Sequence, residues 1–247
     1  MPIAPQRMLV FADERYKAAD SYTTIVMGCC IFLRRHWLNR SQKAAKVGQV
    51  KSKRQLEAIE DVLETIHGVA VVTHANVSRL HYVPGEIDTT PDIMAMSRTD
   101  NIWSQMMAFS ICAGVAWLHR SGMPLGVVDM YYDRKDLTTD HRAAFEAMIR
   151  KNIPQTARDA ATEYPERFSV KADHLMFGAI KQISKPGVGT QPSPYQQGTM
   201  LAHHVCSQSE KVITRGEQGR FLVKDFTAQI AGIVQIFTEV SPSVHVV

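Results

Sequence analysis

Several signals that would assign the chain to a compartment or a membrane are missing from the sequence. No apolar run approaches the ~20 residues that a helix needs to span a bilayer. The N-terminal segment MPIAPQRMLVFADER lacks a charged stretch followed by a long apolar one, so secretion is not expected. The four cysteines, Cys29, Cys30, Cys112 and Cys206, include no CxxC pair and no framework spacing. These absences predict a reduced, cytoplasmic protein without a membrane partner.

The common catalytic and nucleotide-binding motifs are also absent. The sequence contains no Walker A motif, no GxGxxG after a strand, no GxSxG elbow and no HExxH. The usual nucleotide-binding, serine hydrolase and zinc peptidase classes therefore have no support. The adjacent pair His203 and His204 is a weak zinc signal, because a structural zinc site needs four ligands at defined spacings.

One segment lacks acidic residues altogether. Residues 34–54 contain eight Lys or Arg and no Asp or Glu, whereas the whole chain has a net charge of only +4. Such a cluster could neutralise several phosphates and bind nucleic acid without sequence preference. The alternative is a solvated loop that happens to be basic, and the sequence favours neither. The candidate nucleic-acid-binding residues are Arg34, Arg35, Arg40, Lys43, Lys46, Lys51, Lys53 and Arg54.

Apolar patterns in the first third of the chain predict strands and one helix. Residues 8–11 and 21–33 are apolar or β-branched and predict two strands of an antiparallel hairpin, with residues 15–20 as the connecting turn. Apolar side chains repeat at helical spacing from Ser52 to Ile66 and predict a helix there. The short apolar run at 69–77 fits a buried, parallel strand.

The remaining elements complete an α/β pattern. Helices are predicted at 102–118, 139–151, 196–206 and 226–237, a strand at 125–132, and a strand followed by a helix at 167–180. Turn-rich stretches predict loops at 84–101, 184–195 and 206–220, and the last residues form a short tail. Strands that alternate with helical patterns predict an α/β fold, and the opening hairpin makes the sheet mixed. We expect residues 1–247 to form a single domain.

Carboxylates follow or interrupt two of the predicted strands. Asp13 and Glu14 come directly after the first strand, where they either form a turn or supply half of a metal site. Asp129 lies inside an apolar strand pattern, and Asp133 follows at its end, on the same face by strand alternation. Functional groups of open α/β sheets gather at the carboxyl ends of strands. The bland alternative is a strand end followed by an acidic turn.

A third acidic candidate lies on the predicted helix. Glu60 falls on the rim of the apolar face of residues 52–66, so it is the helix acid that can face the sheet, or else an ordinary rim carboxylate. Mg²⁺ and Mn²⁺ prefer oxygen ligands, and two such ions can assist phosphodiester hydrolysis. Converging carboxylates would therefore predict a site for Mg²⁺ or Mn²⁺.

Short motifs in the chain resemble a known superfamily. A hairpin with an acid-bearing first strand, followed by a helix and parallel strands, resembles the ribonuclease H-like fold. More narrowly, VFADERY followed by YTTIVMGCCIFL resembles a widespread uncharacterised bacterial and phage family of that superfamily. Its first strand ends in Asp-Glu-Ser-Gly, its second contains a glycine, and a mid-chain strand carries an Asp, as VVDMYYDRKD does here. Its late helix reads roughly Leu-Gln-x-Ala-Asp.

The chain departs from that pattern at three positions. Arg15 and Tyr16 stand where Ser and Gly are usual, and Met200 stands where the late Asp is expected. His203 follows one turn later, and a histidine near this position serves some ribonuclease H-like enzymes. The resemblance implies a ribonuclease H-like fold with a mixed sheet and helices on both faces. It also implies either a metal-dependent nuclease or a relative that has lost its metal.

These observations are compatible with three functions. The first is a metal-dependent nuclease or related phosphodiester hydrolase. Its candidate catalytic residues are Asp13, Glu60, Asp129, Asp133 and His203, and its candidate metal ligands are Asp13, Glu14 and Asp129, with Glu60 as a further one. The second is an inactive ribonuclease H-like module that binds nucleic acid or a protein partner, in a phage or defence context. The third is a structural or assembly subunit whose acids pair with residues 34–54. The oligomeric state has no sequence signal.

Overall fold

The computed structural model of the protein describes residues 7–18, 22–78, 98–120, 127–133, 142–143, 145–152, 156, 176–187 and 189–228. Six strands form one sheet: β1 (Met8–Ala18), β2 (Tyr22–Leu33), β3 (Val69–Ser78), β4 (Val127–Tyr132), β5 (Met176–Gln182) and β6 (Phe221–Asp225). Their order across the sheet is β5-β4-β1-β2-β3-β6. The first strand of the chain therefore lies near the middle of the sheet.

Strand directions make the sheet mixed. β1 pairs antiparallel with β2, and β2 pairs antiparallel with β3. β4 is parallel to β1, β5 is parallel to β4, and β6 is parallel to β3. This arrangement confirms the expected α/β class and the mixed sheet that opens with an antiparallel hairpin. The carboxyl ends of β4 and β5 lie at one edge of the sheet, beside β1.

The hairpin is longer than the sequence predicted. β1 and β2 pair from Met8 with Leu33 to Ala18 with Thr23, so the expected turn at residues 15–20 is wrong over its first four residues. Arg15 and Lys17 are exposed strand residues. Their charge signalled a turn in the sequence, but an exposed strand end accommodates charged side chains equally well.

Helices cover both faces of the sheet. They are α1 (Arg34–Arg40), a 3-10 helix (Ser41–Gln49), α2 (Ser52–Ile66), α3 (Arg98–Arg120), α4 (residues 145–152), α5 (Pro194–Ser207) and α6 (Ser209–Arg215). One buried cluster joins α3 and α4 to side chains such as Val10 of β1. A second cluster joins α1, α2 and α5 to Leu9 and Phe11 on the other face. Alternate side chains of β1 therefore pack into two separate apolar cores, one on each face of the sheet.

Several predicted elements are confirmed. The helix at Ser52–Ile66 has the predicted bounds, and α3 and α5 cover the helices expected at 102–118 and 196–206. β4 covers most of the strand predicted at 125–132. The apolar run at 69–77 is a strand that is parallel to β6 but antiparallel to β2. Among the described residues, no helix has the length and apolar character needed to cross a membrane.

Other predictions are wrong. Residues 34–49 form helices rather than a basic loop, and the loop predicted at 206–220 contains α6. Residues 176–180 belong to strand β5, where the sequence suggested a helix, and residues 98–101 belong to α3. The predictions for 84–97, for most of 226–237 and for the C-terminal tail lie outside the described residues. That the whole chain forms one domain stays a prediction.

Candidate functional site

The register of β1 and β4 brings two carboxylate-bearing residues side by side. Ala12 of β1 pairs with Tyr132 of β4, and the backbone N–H of Asp133 donates to the Ala12 carbonyl at 3.3 Å. Asp13 and Asp133 are therefore neighbours at the carboxyl end of β4. Both follow the alternation that places Leu9, Phe11 and Tyr131 on the α5 face of the sheet.

Asp13 is buried and hydrogen-bonded to a histidine of α5. Its side chain is 8% exposed, and its Oδ2 lies 2.7 Å from Nδ1 of His203, whose side chain is 57% exposed. A buried carboxylate thus holds one nitrogen of a half-exposed imidazole. The hydrogen bond fixes the ring orientation, and a carboxylate acceptor favours the tautomer or charge state with a proton on Nδ1.

A glycine in β2 allows α5 to come this close to the sheet. Gly28 is the strand partner of Asp13, and a Cβ at this position would lie 2.8 Å from Cys206 Sγ and 3.2 Å from the Ala202 carbonyl oxygen. The Cys206 thiol donates to the carbonyl oxygen of Asp13 at 3.0 Å. Helix α5 therefore packs directly over the carboxylate that its own His203 contacts.

The start of α5 is fixed by a capping box. The Ser193 hydroxyl accepts from the Gln196 backbone N–H, and the Gln196 side chain accepts from the Ser193 backbone N–H. Gln196 also donates to the carbonyl of Ser184, in the segment that follows β5. These bonds satisfy backbone groups that a helix N-terminus otherwise leaves unpaired. They connect α5 to the same sheet edge that carries Asp133.

The charges around His203 identify two further neighbours. The hydrogen bond to Asp13 raises the pKa of His203, partial burial lowers it, the charges of Asp13 and Asp133 raise it, and the charge of Lys185 lowers it. Lys185 is exposed and follows β5, where Ile183 N–H donates to the Tyr132 carbonyl at 2.9 Å. Lys185 was not among the site residues predicted from the sequence. The sequence feature that could have identified Lys185 is a lysine shortly after the strand that became β5.

Asp129 is on the predicted face but at the other end of the strand. It pairs with Leu9, four residues before Asp13, which corresponds to about 13 Å along a strand. The expectation that Asp13 and Asp129 converge on one cation is therefore wrong. The physical reason is that parallel pairing sets Asp133, not Asp129, opposite Asp13.

The surroundings of Asp129 are those of a structural carboxylate. The β4–β5 pairing is irregular between Val128 and Met130, and the Ala179 N–H at this bulge donates to Asp129 Oδ1 at 2.9 Å. A Cβ at Gly178 would collide with the same carboxylate. Arg7 supplies a nearby charge, with Nη1 at 3.4 Å from Oδ2. Asp129 thus satisfies a backbone group that the bulge removes from the ladder.

Glu60 and Glu14 are placed apart from the carboxylate pair. Glu60 forms an ion pair with Arg215 of α6 at 3.2 Å, with both side chains substantially exposed. Strand alternation places Glu14 on the face opposite Asp13, with Val10 and Ala12. The four-carboxylate site expected from the sequence is therefore reduced to two carboxylates and a histidine.

The remaining donor set fits one mode of metal binding. In the described part of the chain, no group of three or more His, Cys, Asp and Glu side chains is arranged to hold a metal ion. Mg²⁺ is nevertheless commonly held by one or two carboxylates together with waters and substrate phosphates. The neighbours Asp13 and Asp133 fit that mode but not a cage made only of protein. Met200, in the expected place of a late Asp, adds no oxygen ligand.

The basic segment lies beside α5. Seven of its eight cationic residues are exposed and Arg34 is half-buried. The segment approaches α5 where a Cβ at Gly48 would lie 3.1 Å from His204 Nε2. Gln55 at the start of α2 lies 3.1 Å from His204 Nδ1, and burial followed by the charge of His203 lowers the pKa of His204. The basic segment thus approaches α5 at His204, whose ring centroid lies 5.8 Å from that of His203.

The ion pairs do not join the basic segment to the acidic candidates. Asp13 pairs with His203, Asp129 with Arg7 and Glu60 with Arg215. Within the described ranges, none of the eight cationic residues of 34–54 forms an ion pair with an acid. The assembly-subunit hypothesis, which relies on such pairs, stays a prediction.

Comparisons with known proteins give a structural similarity but no family. No protein-family model matches the chain, and no curated protein matches it. Among solved structures, the chain is similar to the crystal structure of Bst-RNase HIII in complex with Mn²⁺, with 13% sequence identity and a TM-score of 0.32. The similarity covers 86% of this chain and 55% of that one, so the chain spans about half the length of that protein.

Proposed function

We propose that the protein is a metal-dependent nuclease, or a related phosphodiester hydrolase, whose site consists of Asp13, Asp133 and His203. The observation that carries the proposal is the buried Asp13 carboxylate. It is hydrogen-bonded to the half-exposed His203 at 2.7 Å and lies next to Asp133 at a sheet edge. Such an edge is where open α/β sheets bind ligands.

In this proposal the carboxylates bind Mg²⁺ or Mn²⁺. Asp13 and Asp133 would hold the ion together with phosphate oxygens of the substrate, and the bound ion would neutralise charge that develops on the phosphoryl group. The His203 nitrogen that Asp13 does not hold is available to exchange a proton with the substrate or water. Lys185, in the segment after β5, would attract the phosphate to the site.

The proposed substrate is nucleic acid, bound through residues 34–54. The segment carries exposed cations and approaches α5 at His204, the neighbour of His203 in the chain, so a bound strand could reach the carboxylate pair. Electrostatic binding of this kind requires no base recognition. A cytoplasmic location belongs to the same proposal, since all four cysteines are buried and free. A protein partner is compatible with it but has no observation of its own.

Cleavage assays with matched variants test the proposal. We expect Mg²⁺- or Mn²⁺-dependent cleavage of single-stranded or duplex DNA or RNA. Asp13→Asn should abolish it, and His203→Asn should reduce it by about 10²–10⁴-fold if the imidazole transfers a proton. Asp61→Asn is the control, because Asp61 is an exposed acid of α2. Cleavage that persists in Asp13→Asn, or that chelation of the metal leaves unchanged, would contradict the proposal.

A second candidate function is an inactive module that binds nucleic acid or a protein. The observation that favours it is Met200, a thioether on the turn before His203 where the resemblance expects a carboxylate. In that case the protein should retain a labelled oligonucleotide without cleaving it. Asp13→Asn should then leave the affinity unchanged, whereas removal of cations from residues 34–54 should weaken it.

A further inference from the structure

Four basic side chains meet where α1 packs on the end of α2, away from Asp13. They are Arg35, His36 and Arg40 of α1, and His67, which directly follows α2. The rings of His36 and His67 have centroids 5.6 Å apart and planes inclined by 60°. Arg40 Nη1 donates to the carbonyl oxygen of Thr65 at 2.6 Å, which fixes one helix against the other. We call these four residues the His36 cluster.

The cluster has an excess of positive charge. Burial lowers the pKa of His36, and the charges of Arg35, His67 and Arg40 lower it further. Only a hydrogen bond to the Ile66 carbonyl acts in the opposite direction. No carboxylate is among these influences. In the described part of the chain, neither Arg35 nor Arg40 forms an ion pair, so an anion would relieve a repulsion that the protein leaves uncompensated.

His67 occupies a backbone conformation that usually belongs to glycine. It caps α2 with φ 58° and ψ 42°, in the left-handed region, and its N–H donates to the Glu64 carbonyl at 3.2 Å. Glycine, and less often asparagine, is the common residue at this cap. A histidine there adds strain and places an exposed imidazole beside His36. Strained backbone conformations of this kind are often found at binding sites, and the one at His67 therefore supports a binding role.

We propose that the His36 cluster is a phosphate-binding site that takes a backbone phosphate of nucleic acid. Arginine presents a planar set of donors that matches phosphate oxygens, and protonated imidazoles add charge-assisted donors. The 3-10 helix leaves the cluster after Arg40 and ends close to Ser52, the first residue of α2, so it extends along that helix. Its exposed lysines continue the cationic surface. This continuity favours a polymer over free phosphate.

Binding at this site should be stronger at lower pH. A bound phosphate favours protonated His36, so binding takes up a proton and affinity rises as pH falls. The charged groups that act on His36 are Arg35 and Arg40 from α1, and Glu64 is an exposed residue of the last turn of α2. Arg220, whose Nη1 donates to the Gly68 carbonyl at 3.0 Å, approaches from the segment before β6.

Binding measurements on the full-length chain test the site. A fluorescent single-stranded oligonucleotide and inorganic phosphate are titrated at pH 6 and pH 8, at constant ionic strength and without divalent metal. The variants are Arg35→Gln and His67→Asn, since asparagine tolerates the left-handed cap. The control is His74→Asn, because His74 is a mostly buried histidine in the middle of β3, near Asp225 of β6 and outside the His36 cluster.

We expect each cluster variant to weaken oligonucleotide binding at pH 6 by about tenfold, the effect of losing one hydrogen bond to a charged group. Because His67 lies beside His36, His67→Asn should also change the pH dependence, and His74→Asn should change neither property. If both cluster variants keep the oligonucleotide affinity and its pH dependence, the His36 cluster is not a phosphate-binding site. If the variants lose binding of inorganic phosphate but bind the oligonucleotide normally, the phosphate that the cluster takes does not belong to nucleic acid. The same binding is expected in Asp13→Asn, so failure here is distinct from failure of the nuclease proposal.

Discussion

Asp129 and Asp133 show what can be predicted at the scale of single residues. The alternation of VVDMYYD places both on one face of β4, and the apolar surroundings of Asp129 require a partner for its carboxylate. The identity of that partner could not be predicted. The N–H of Ala179 is available only because the pairing of β4 with β5 contains a bulge, and this irregularity arises from tertiary structure.

The role of Asp129 can be tested by removing its acceptor. We expect Asp129→Ala to lower the free energy of unfolding by about 1–3 kcal/mol, because it leaves the partly buried Ala179 N–H without its acceptor. Asp129→Asn keeps an acceptor oxygen and should be milder, since Arg7 is half exposed and its ion pair contributes little. Urea denaturation measures both. Equal stability of Asp129→Ala and the unmodified protein would contradict the structural role.

The arrangement of the candidate site was predicted only in part. Asp13 and His203 were both candidates, and the structure joins them by a hydrogen bond. Sequence spacing could not show this contact, because 190 residues separate the two. It depends on the packing of α5 over β1. Lys185 was missed for the same reason, since its neighbours come from β4 and α5.

At the scale of elements, the helix with strong apolar periodicity was predicted correctly from the sequence, whereas short elements and edge strands were not. α2 repeats five buried apolar residues at helical spacing and was predicted with its observed bounds. α6 has only seven residues, and only Ser209 and Val212 are buried. The edge strands β5 and β6 are also short, and most of their residues are half-buried or exposed. Their pairing with β4 and β3 comes from the assembled sheet rather than from local pattern.

The approach of α5 to β2 gives a prediction at this scale. Gly28→Ala would place a methyl group 2.8 Å from Cys206 Sγ and push α5 away from Asp13. We expect a loss of about 1–3 kcal/mol in the free energy of unfolding, as for other overpacked sites. The lengthened hydrogen bond to Asp13 should also let the pKa of His203 fall toward its ordinary value. Urea denaturation and NMR titration of the ring measure these effects.

Gly187→Ala is the matched control for this change. Its Cβ would lie 3.5 Å from Thr190 Oγ1, which is ordinary van der Waals contact. We expect its stability to stay within about 0.5 kcal/mol of the unmodified protein. If both alanine variants behave alike, the close packing at Gly28 does not position His203.

At the scale of the whole molecule, the fold class was predictable because the order of elements was. An acid-bearing hairpin followed by a helix and further strands restricts the topology to few alternatives. The convergence of the acids was not predictable, because it depends on register between strands more than a hundred residues apart. A shift of four residues in that register exchanges Asp133 for Asp129 opposite Asp13.

The distribution of charge over the two faces gives the last prediction. Ala44 and Val47 anchor the 3-10 helix to the α5 face, whereas Phe145 of α4 belongs to the core on the α3 face. Binding of single-stranded nucleic acid through residues 34–54 should therefore depend on cations of one face only. Lys43 and Lys46 are exposed on that face, and Lys151 of α4 is an exposed lysine on the other.

We expect the double variant Lys43→Ala, Lys46→Ala to weaken binding and to reduce the slope of log K against log salt by about 1.4, since each phosphate contact on a single strand contributes about 0.7. Fluorescence anisotropy over a series of salt concentrations measures the slope. Lys151→Ala changes the net charge by one unit but should leave the slope unchanged. Each lysine removed in the double variant should lower the slope by about 0.7. If Lys151→Ala lowers the slope by the same amount, the overall positive charge attracts the nucleic acid, and the α5 face is not the binding surface.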